Sequence, residues 1–288
     1  MLGFRRSYRQ RVVMPLVSRF FAVLAVLAAL APGLAEAASC ASSAPGEKVR
    51  LVKVGVRLDI VLADGRVIYF PTIEPPRATA AEPDAPQDVV RQLTALLQDK
   101  SLILQRLGAA DRWGRIPARL SIDGESEAVD ETLIAAGLAM VSADPGACGL
   151  NVKAAETAAR AARAGIWSDP AFAVLTAEDL TVFPPRAGTL AIVEGRARSF
   201  GHGFSRTYIN LGDRRGSVTL VIAKRYRPAF DRAGFDEKSL ANRRIRARGV
   251  VEMGGAPQID LFHPAQIEFM EEAPRAGGSA QADSPERH

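Results

Sequence analysis

Residues 51–70 read LVKVGVRLDIVLADGRVIYF. Val52, Val54 and Val56 alternate with their neighbours, Leu58, Ile60 and Leu62 continue the alternation, and Ala63-Asp64-Gly65-Arg66 interrupts it before Val67–Phe70. Period-two apolarity around an Asp-Gly dipeptide predicts a β-hairpin with one buried face. Downstream, Pro75, Pro76, Pro83 and Pro86 break regular structure, and Ala85–Asp99 reads as a helix with Val89, Val90, Leu93, Leu96 and Leu97 on its buried side. A second strand pair flanks Asp111-Arg112-Trp113-Gly114-Arg115. Helices are expected over about Asp130–Gly137 and Asn151–Gly165. Strands followed by segregated helices make this an α+β unit, a small barrel carrying three helices.

A second β unit follows. Ser168–Pro185 reads as a linker containing a short helix from Ala177, with Pro184-Pro185 at its end. Beyond it, strands are expected at Leu190–Phe200, Arg206–Leu211, Ser217–Lys224, Arg243–Met253 and Gln258–Phe262, with Tyr226–Leu240 partly helical. Three strands, a helix and two strands is the order of an OB-fold. From Ala273 the chain is aperiodic and rich in Gly, Ser, Ala, Pro and charge, which reads as a disordered tail. The expected boundaries are 1–37, 38–167, 168–185, 186–272 and 273–288.

Residues 1–37 have the three parts of an export signal: a basic start, a 12-residue apolar run from Phe20 to Ala31, and small residues at Ala35-Glu36-Ala37. The run is too short to span a bilayer comfortably, for which about 20 residues are needed. Arg5-Arg6 fits either an ordinary cationic start or a twin-arginine signal. The expectation is a periplasmic or secreted protein, with no membrane segment left after cleavage. In an oxidising compartment Cys40 and Cys148, the only two cysteines, are expected to pair. Cys40 as a lipid-anchor site is the alternative.

Charge narrows the partners. Of 288 residues, 37 are Lys or Arg and 32 are Asp or Glu; without residues 1–37 the counts are 32 and 31. Bulk charge therefore excludes a mature protein that coats phosphate backbones nonspecifically. Locally the picture differs. Between Arg186 and Arg248 there are 15 basic and 5 acidic residues, whereas residues 38–177 carry 15 and 17. Strand alternation puts Arg244, Arg246 and Arg248 on one face and Arg206, Tyr208 and Asn210 on another. These arginines could track phosphates while Tyr208 stacks a base. The alternative reading is that exposed basic residues keep strand edges from pairing. Phe200-Gly201-His202-Gly203-Phe204 is a loop where OB-folds often clasp ligands, with His202 expected to be merely solvated.

The order of Asp111-Arg112-Trp113-Gly114-Arg115, Glu131-Thr132-Leu133-Ile134-Ala135-Ala136-Gly137-Leu138-Ala139, and Ala154–Trp167 ending in Ala-Gly-Ile-Trp resembles the staphylococcal-nuclease-like (thermonuclease) family over about Lys48–Trp167. The resemblance implies a five-stranded OB-like barrel with three helices. It also implies calcium-dependent phosphodiester hydrolysis by two metal-binding Asp, a Glu base and two Arg. Aligned with that pattern, Leu58 stands where the first Asp belongs, Tyr69 replaces the first Arg, Glu74 the second Asp and Arg77 the Glu base. Arg115 alone is unchanged. A guanidinium cannot accept a proton near neutral pH, and losing a positioned base costs on the order of 100- to 10,000-fold in rate.

A one-residue shift in the first hairpin would bring Asp59 to the metal position, at the cost of turning the apolar face of that strand. Arg115 has the alternative of a surface ion pair, and Trp113 is expected to be a packing residue. The leading expectation is binding of single-stranded nucleic acid or another polyanion without efficient hydrolysis and without a cofactor. The alternatives are an active phosphodiesterase using Ca2+ at Glu74 and Asp59, with Arg115 catalytic, and an envelope protein-interaction module.

Overall fold

The computed structural model describes residues 46–146, 149–213 and 217–270. The expected export signal, both cysteines of the expected Cys40–Cys148 pair, and the tail from Ala273 lie outside them.

The first barrel grows from the alternating stretch. β1 (Glu47–Val49) and β2 (Leu51–Val54) are one strand broken at Arg50, followed by β3 (Ile60–Leu62), β4 (Val67–Tyr69) and β5 (Ile73–Glu74). Helix α1 (Ala85–Leu97) starts with Pro86 in its first turn and buries Val89, Leu93 and Leu97, one per turn. β6 (Leu102–Arg106) and β7 (Arg115–Ile122) complete the sheet. Its order is β1-β6-β7-β4-β3-β2, with β4 and β7 parallel. Since β1 and β2 are consecutive, the sheet closes on itself. Period two governs the interior, and on β7 alone Ile116, Ala118, Leu120 and Ile122 face inward.

Helices α2 (Val129–Ala135) and α3 (Gly149–Ala161) flank β8 (Met140–Val141), which pairs with β5. Two pieces of the sequence motif meet here. Ile166 donates its N–H to the Gly137 carbonyl at 2.9 Å, and a Cβ on Gly137 would lie 2.1 Å from the Ala164 oxygen. Gly165 faces the same restriction against Gly137, at 2.2 Å, and both glycines have positive φ. No other residue type fits this clasp.

Residues 168–185, where a linker with a short helix was expected from sequence, form 3-10 turns at 170–172, 180–182 and 184–186 around β9 (Leu175–Thr176). Phe172, Leu175, Ala177 and Phe183 are buried, so this stretch is packed.

The second barrel comprises β10 (Leu190–His202), β11 (Arg206–Leu211), β12 (Val218–Ala223), the short helices α4 (Arg227–Arg232) and α5 (Glu237–Leu240), β13 (Arg244–Met253) and β14 (Pro257–Leu261). β10 pairs with β13 through its first half and with β11 through its second, the switch falling at a register shift between Ala197 and Ser199. β11–β12, the parallel pair β12–β14, and β14–β13 close a five-stranded ring. β9 and β15 (Ile267–Phe269) extend it. Both barrels have the strand order 1-2-3-5-4 with helix between the third and fourth strands, which is the OB arrangement. Among the described residues no helix is long and apolar enough to cross a membrane.

The two barrels pack together. Met140 and Ile166 of the first, Phe172, and Leu190 and Ile192 of the second form one buried cluster. Arg248 of β13 reaches into it: Nη1 donates to the Val141 carbonyl at 2.7 Å, and Nη2 to Glu156 Oε2 at 2.5 Å. Glu156 Oε1 also accepts the Val141 N–H at 2.8 Å. The Arg248 and Glu156 side chains are 3% and 0% exposed. Lys153 adds an ion pair to Glu268 at 2.9 Å.

One buried group opposes stability. Asp130, at the start of α2, is buried; among the described residues its Oδ1 has no hydrogen-bond partner, while Oδ2 accepts from Thr72. Burial pushes its pKa up against the opposing Thr72 bond and the Arg119 charge. A carboxyl whose folded pKa is raised favours folding when protonated, and that contribution fades as pH rises through the folded pKa. Asp130→Asn should therefore raise the melting temperature at pH 7–8, with the gain vanishing below about pH 4, near the ordinary carboxyl range. Thermal melts of both proteins across that span check this.

Candidate functional site

In the first barrel Leu58, Arg77 and Arg115, three of the residues aligned with the hydrolytic pattern, are engaged with the protein itself. Leu58 is 1% exposed, in a left-handed turn position at φ 58° that places it in the core with Ile60 and Leu62. Asp59 folds over Gly55, whose Cβ would meet its Oδ1 at 2.7 Å. Glu74, at the end of β5, is exposed as a residue, yet desolvation pushes its carboxyl pKa up, with Arg57 acting the other way. Among the described residues no three His, Cys, Asp or Glu side chains are grouped to hold a metal ion. A calcium ion needs about 6 to 8 oxygen ligands. An apolar, buried Leu58 and one carboxyl at Glu74 do not fit it.

Arg77 is a tether. Its Nη2 donates to the Ala171 carbonyl at 2.7 Å and its guanidinium lies 4.6 Å from the Phe172 ring centre. Thr79 donates to Asp169 at 2.5 Å beside it. The loop after β5 is thus fastened to the turn leading into the second barrel. Arg186 packs nearby: burial and the neighbouring Arg77 pull its pKa down to about 10, Asp169 opposing.

Arg115 is bound to Asp111 through Nε at 3.0 Å and Nη2 at 2.9 Å. Desolvation pushes the Asp111 pKa up, but the backbone N–H and guanidinium of Arg115 and the backbone N–H of Trp113 outweigh it and hold the carboxyl below its usual range. The guanidinium also lies 5.0 Å from the Tyr69 ring and 5.1 Å from Trp113, which Arg112 covers from 3.9 Å. Trp113, expected as a packing residue, is 64% exposed. It sits between two cations at the loop surface, where their charges replace a hydrophobic neighbour.

The five basic and aromatic positions singled out in the second barrel separate. Arg244, Arg246 and Arg248 do share a face, as period two requires, but that face runs from solvent into the barrel junction. Arg244 is exposed, 3.8 Å from Glu194. Arg246 donates to Glu194 Oε1 from Nε at 2.9 Å and Nη2 at 2.6 Å. Arg248, expected to contact nucleic acid, is buried against Glu156, so no ligand reaches it. Tertiary packing is the cause: α3 brings Glu156 against the Arg248 guanidinium, and Gln266 binds the Arg248 carbonyl.

Arg206 and Tyr208 lie elsewhere, on β11. Arg206 lines a cleft of about 510 Å³ with Lys224, Arg225, Tyr226, Asp260 and Phe262. Register builds this cleft: Arg206 opposes Ala223, Tyr208 opposes Val221, and Val221 opposes Asp260. Small side chains on β12 leave the concavity, and longer ones on β11, on β14 and in the segment after β12 form its walls. Arg225 lies 4.7 Å from the Tyr226 ring. At the tip of the β10–β11 hairpin, beside Arg206, Phe204 is 98% exposed. The Tyr208 ring rests on the hairpin glycines, where Cβ atoms on Gly201 and Gly203 would stand 3.5 and 3.3 Å from it. His202, expected to be only solvated, faces Glu237 at 2.9 Å and ties the hairpin to α5.

The sequence reading missed Lys224, Arg225, Tyr226, Asp260 and Phe262. The available signal was the basic-aromatic triplet Lys224-Arg225-Tyr226 directly after the third strand.

Residues 85–169 match the family model described as staphylococcal nuclease homologue. No curated protein matches the chain. The chain therefore carries a staphylococcal-nuclease-like segment running from α1 to the turn at Asp169. Arg115 lies inside the match; Leu58, Tyr69, Glu74 and Arg77 precede it.

Two of the β13 arginines give contrasting expectations. Arg248→Ala strands Glu156 in the interior and should destabilise the protein by about 3–5 kcal/mol. Arg244→Ala, at an exposed site, should stay within about 0.5 kcal/mol. Urea denaturation of the two variants measures both.

Proposed function

We propose that the protein is an exported, noncatalytic binder of single-stranded nucleic acid, using the cleft of the second barrel. The observation that carries this reading is the grouping of Arg206, Lys224 and Arg225 with Tyr226 and Phe262 in one cleft, beside the projecting Phe204. Cations that follow a phosphate backbone and rings on which bases stack are the two requirements for holding a single strand. Three guanidinium or ammonium groups in so small a space repel one another, and a polyanion relieves that repulsion.

Supporting the noncatalytic part is the chemistry at the aligned positions: a buried leucine, a tyrosine, and an arginine engaged with Ala171. In this reading the first barrel serves as a scaffold. Export rests on the three-part leader at residues 1–37.

Fluorescence anisotropy with a labelled 15-nucleotide thymidine strand at low salt tests it. The mature protein should bind, and three phosphate contacts on a single strand imply a logarithmic salt slope near about −2. Arg206→Ala combined with Lys224→Ala should weaken binding about tenfold or more. Absence of binding, or an unaffected double variant, contradicts the cleft. Calcium-dependent cleavage of the strand that disappears in Arg115→Ala contradicts the noncatalytic reading.

A further inference from the structure

One side chain in the cleft opposes its charge. Asp260 on β14 lines the same space as Arg206, Lys224 and Arg225. A carboxylate repels a phosphate backbone, so a site built for phosphate alone has no use for it. Nor is it there to neutralise a neighbour, since among the described residues Asp260 is in no ion pair. Its side-chain partner is Gln258, two residues back on the same face, whose Nε2 donates to Oδ1 at 2.9 Å. That bond orients the carboxylate; among the described residues Oδ2 has no protein partner, and each oxygen keeps spare lone pairs.

The surroundings specify what such an acceptor meets. Phe262 follows two residues on, and Tyr226 stands across the cleft with Arg225 against its ring. A base stacked on either ring lies flat between the walls, so its hydrogen-bonding edge points along the cleft. A carboxylate only accepts. Adenine and cytosine each offer one amino group beside a ring nitrogen acceptor, and thymine and uracil offer one N–H between two carbonyls, all of which repel the second oxygen. Guanine alone offers two adjacent donors, N1–H and the 2-amino group, matched to both oxygens of one carboxylate.

We infer that Asp260, oriented by Gln258, is a specificity-determining residue that reads guanine in a single strand held in this cleft. The inference rests on the binding reading proposed above. It assigns Asp260 to base recognition and the three cations to the backbone, a division in which phosphate contacts position and base contacts specify.

The test compares three labelled 15-nucleotide strands in EDTA at low salt, against mature wild-type protein and Asp260→Asn: all thymidine, thymidine with one central guanosine, and thymidine with inosine there. Inosine keeps N1–H and lacks the 2-amino group. Wild type should bind the guanosine strand about tenfold more tightly than the thymidine strand, with inosine between, since a bidentate base contact is worth about 1–3 kcal/mol. Asp260→Asn should lose the preference and bind the all-thymidine strand more tightly than wild type, one negative charge having left the cleft. Because Asp260 is exposed, the variant should melt at the wild-type temperature, and Asp260→Ala should lose the preference as well. Equal affinity of wild type for guanosine and thymidine strands, or a preference retained in both variants, overturns the assignment while leaving the cleft as the binding site. Failure of wild type to bind any strand overturns both.

Discussion

The structure turns on a single buried ion pair, Arg248 with Glu156. Each charge alone would be intolerable where it sits: the guanidinium is satisfied across the junction by Glu156 and the Val141 carbonyl, the carboxylate by Arg248 across the junction and by the Val141 N–H of its own barrel. Such a pair adds little net stability over a well-packed apolar substitute, because desolvation offsets most of the attraction. What it supplies is registration. The apolar cluster of Met140, Ile166, Phe172, Leu190 and Ile192 would tolerate sliding; two oxygens facing a guanidinium fork would not. From the other side, Gln266 donates to the Arg248 carbonyl at 3.1 Å and to that of Asp260 at 3.2 Å. The backbone at the junction and the backbone at the cleft thus share one amide.

That constraint explains the division of labour between the barrels. Docking the second barrel against α3 brings the turn at 169–173 over the loop after β5, where Arg77 and Thr79 hold it. Arg77 thereby gains a carbonyl and an aromatic ring as partners. A glutamate at 77 would place a carboxylate against the Ala171 carbonyl and Asp169 instead. The same docking covers one end of β13 and leaves the cleft at the other side of the second barrel open. Local charge follows the geometry: Arg246 and Arg248 of β13 are matched by Glu194, Glu268 and Glu156, whereas Arg206, Lys224 and Arg225 are exposed.

Much of this was legible in the sequence. Period two at Ile60 and Leu62 and the Asp64-Gly65 turn predicted the β3–β4 hairpin; the turn at 55–59 that separates β2 from β3, with Leu58 at φ 58°, interrupts an alternation that reads as continuous in the sequence. The strand and helix order predicted an OB-like second barrel, and alternation correctly grouped Arg244, Arg246 and Arg248. Alternation reports which residues share a face, however, and says nothing of what covers it. Only tertiary packing against α3, through Glu156, turns one end of that face inward. Residues 168–185 looked like a linker because Pro and short apolar runs have no period, yet Phe172 and Phe183 find burial in different places. Of the cleft, Arg206 alone was singled out from the sequence, while Tyr208 turns to the hairpin glycines. The cleft's remaining walls, at 224–226 and 260–262, are far apart in sequence and meet through the parallel pairing of β12 and β14, which no local pattern encodes.

If Arg248 and Glu156 make one body of two barrels, differential scanning calorimetry of the mature protein measures that directly. The account predicts one cooperative endotherm with equal calorimetric and van't Hoff enthalpies. Two resolved transitions in the unmodified protein, one for each barrel, would contradict it.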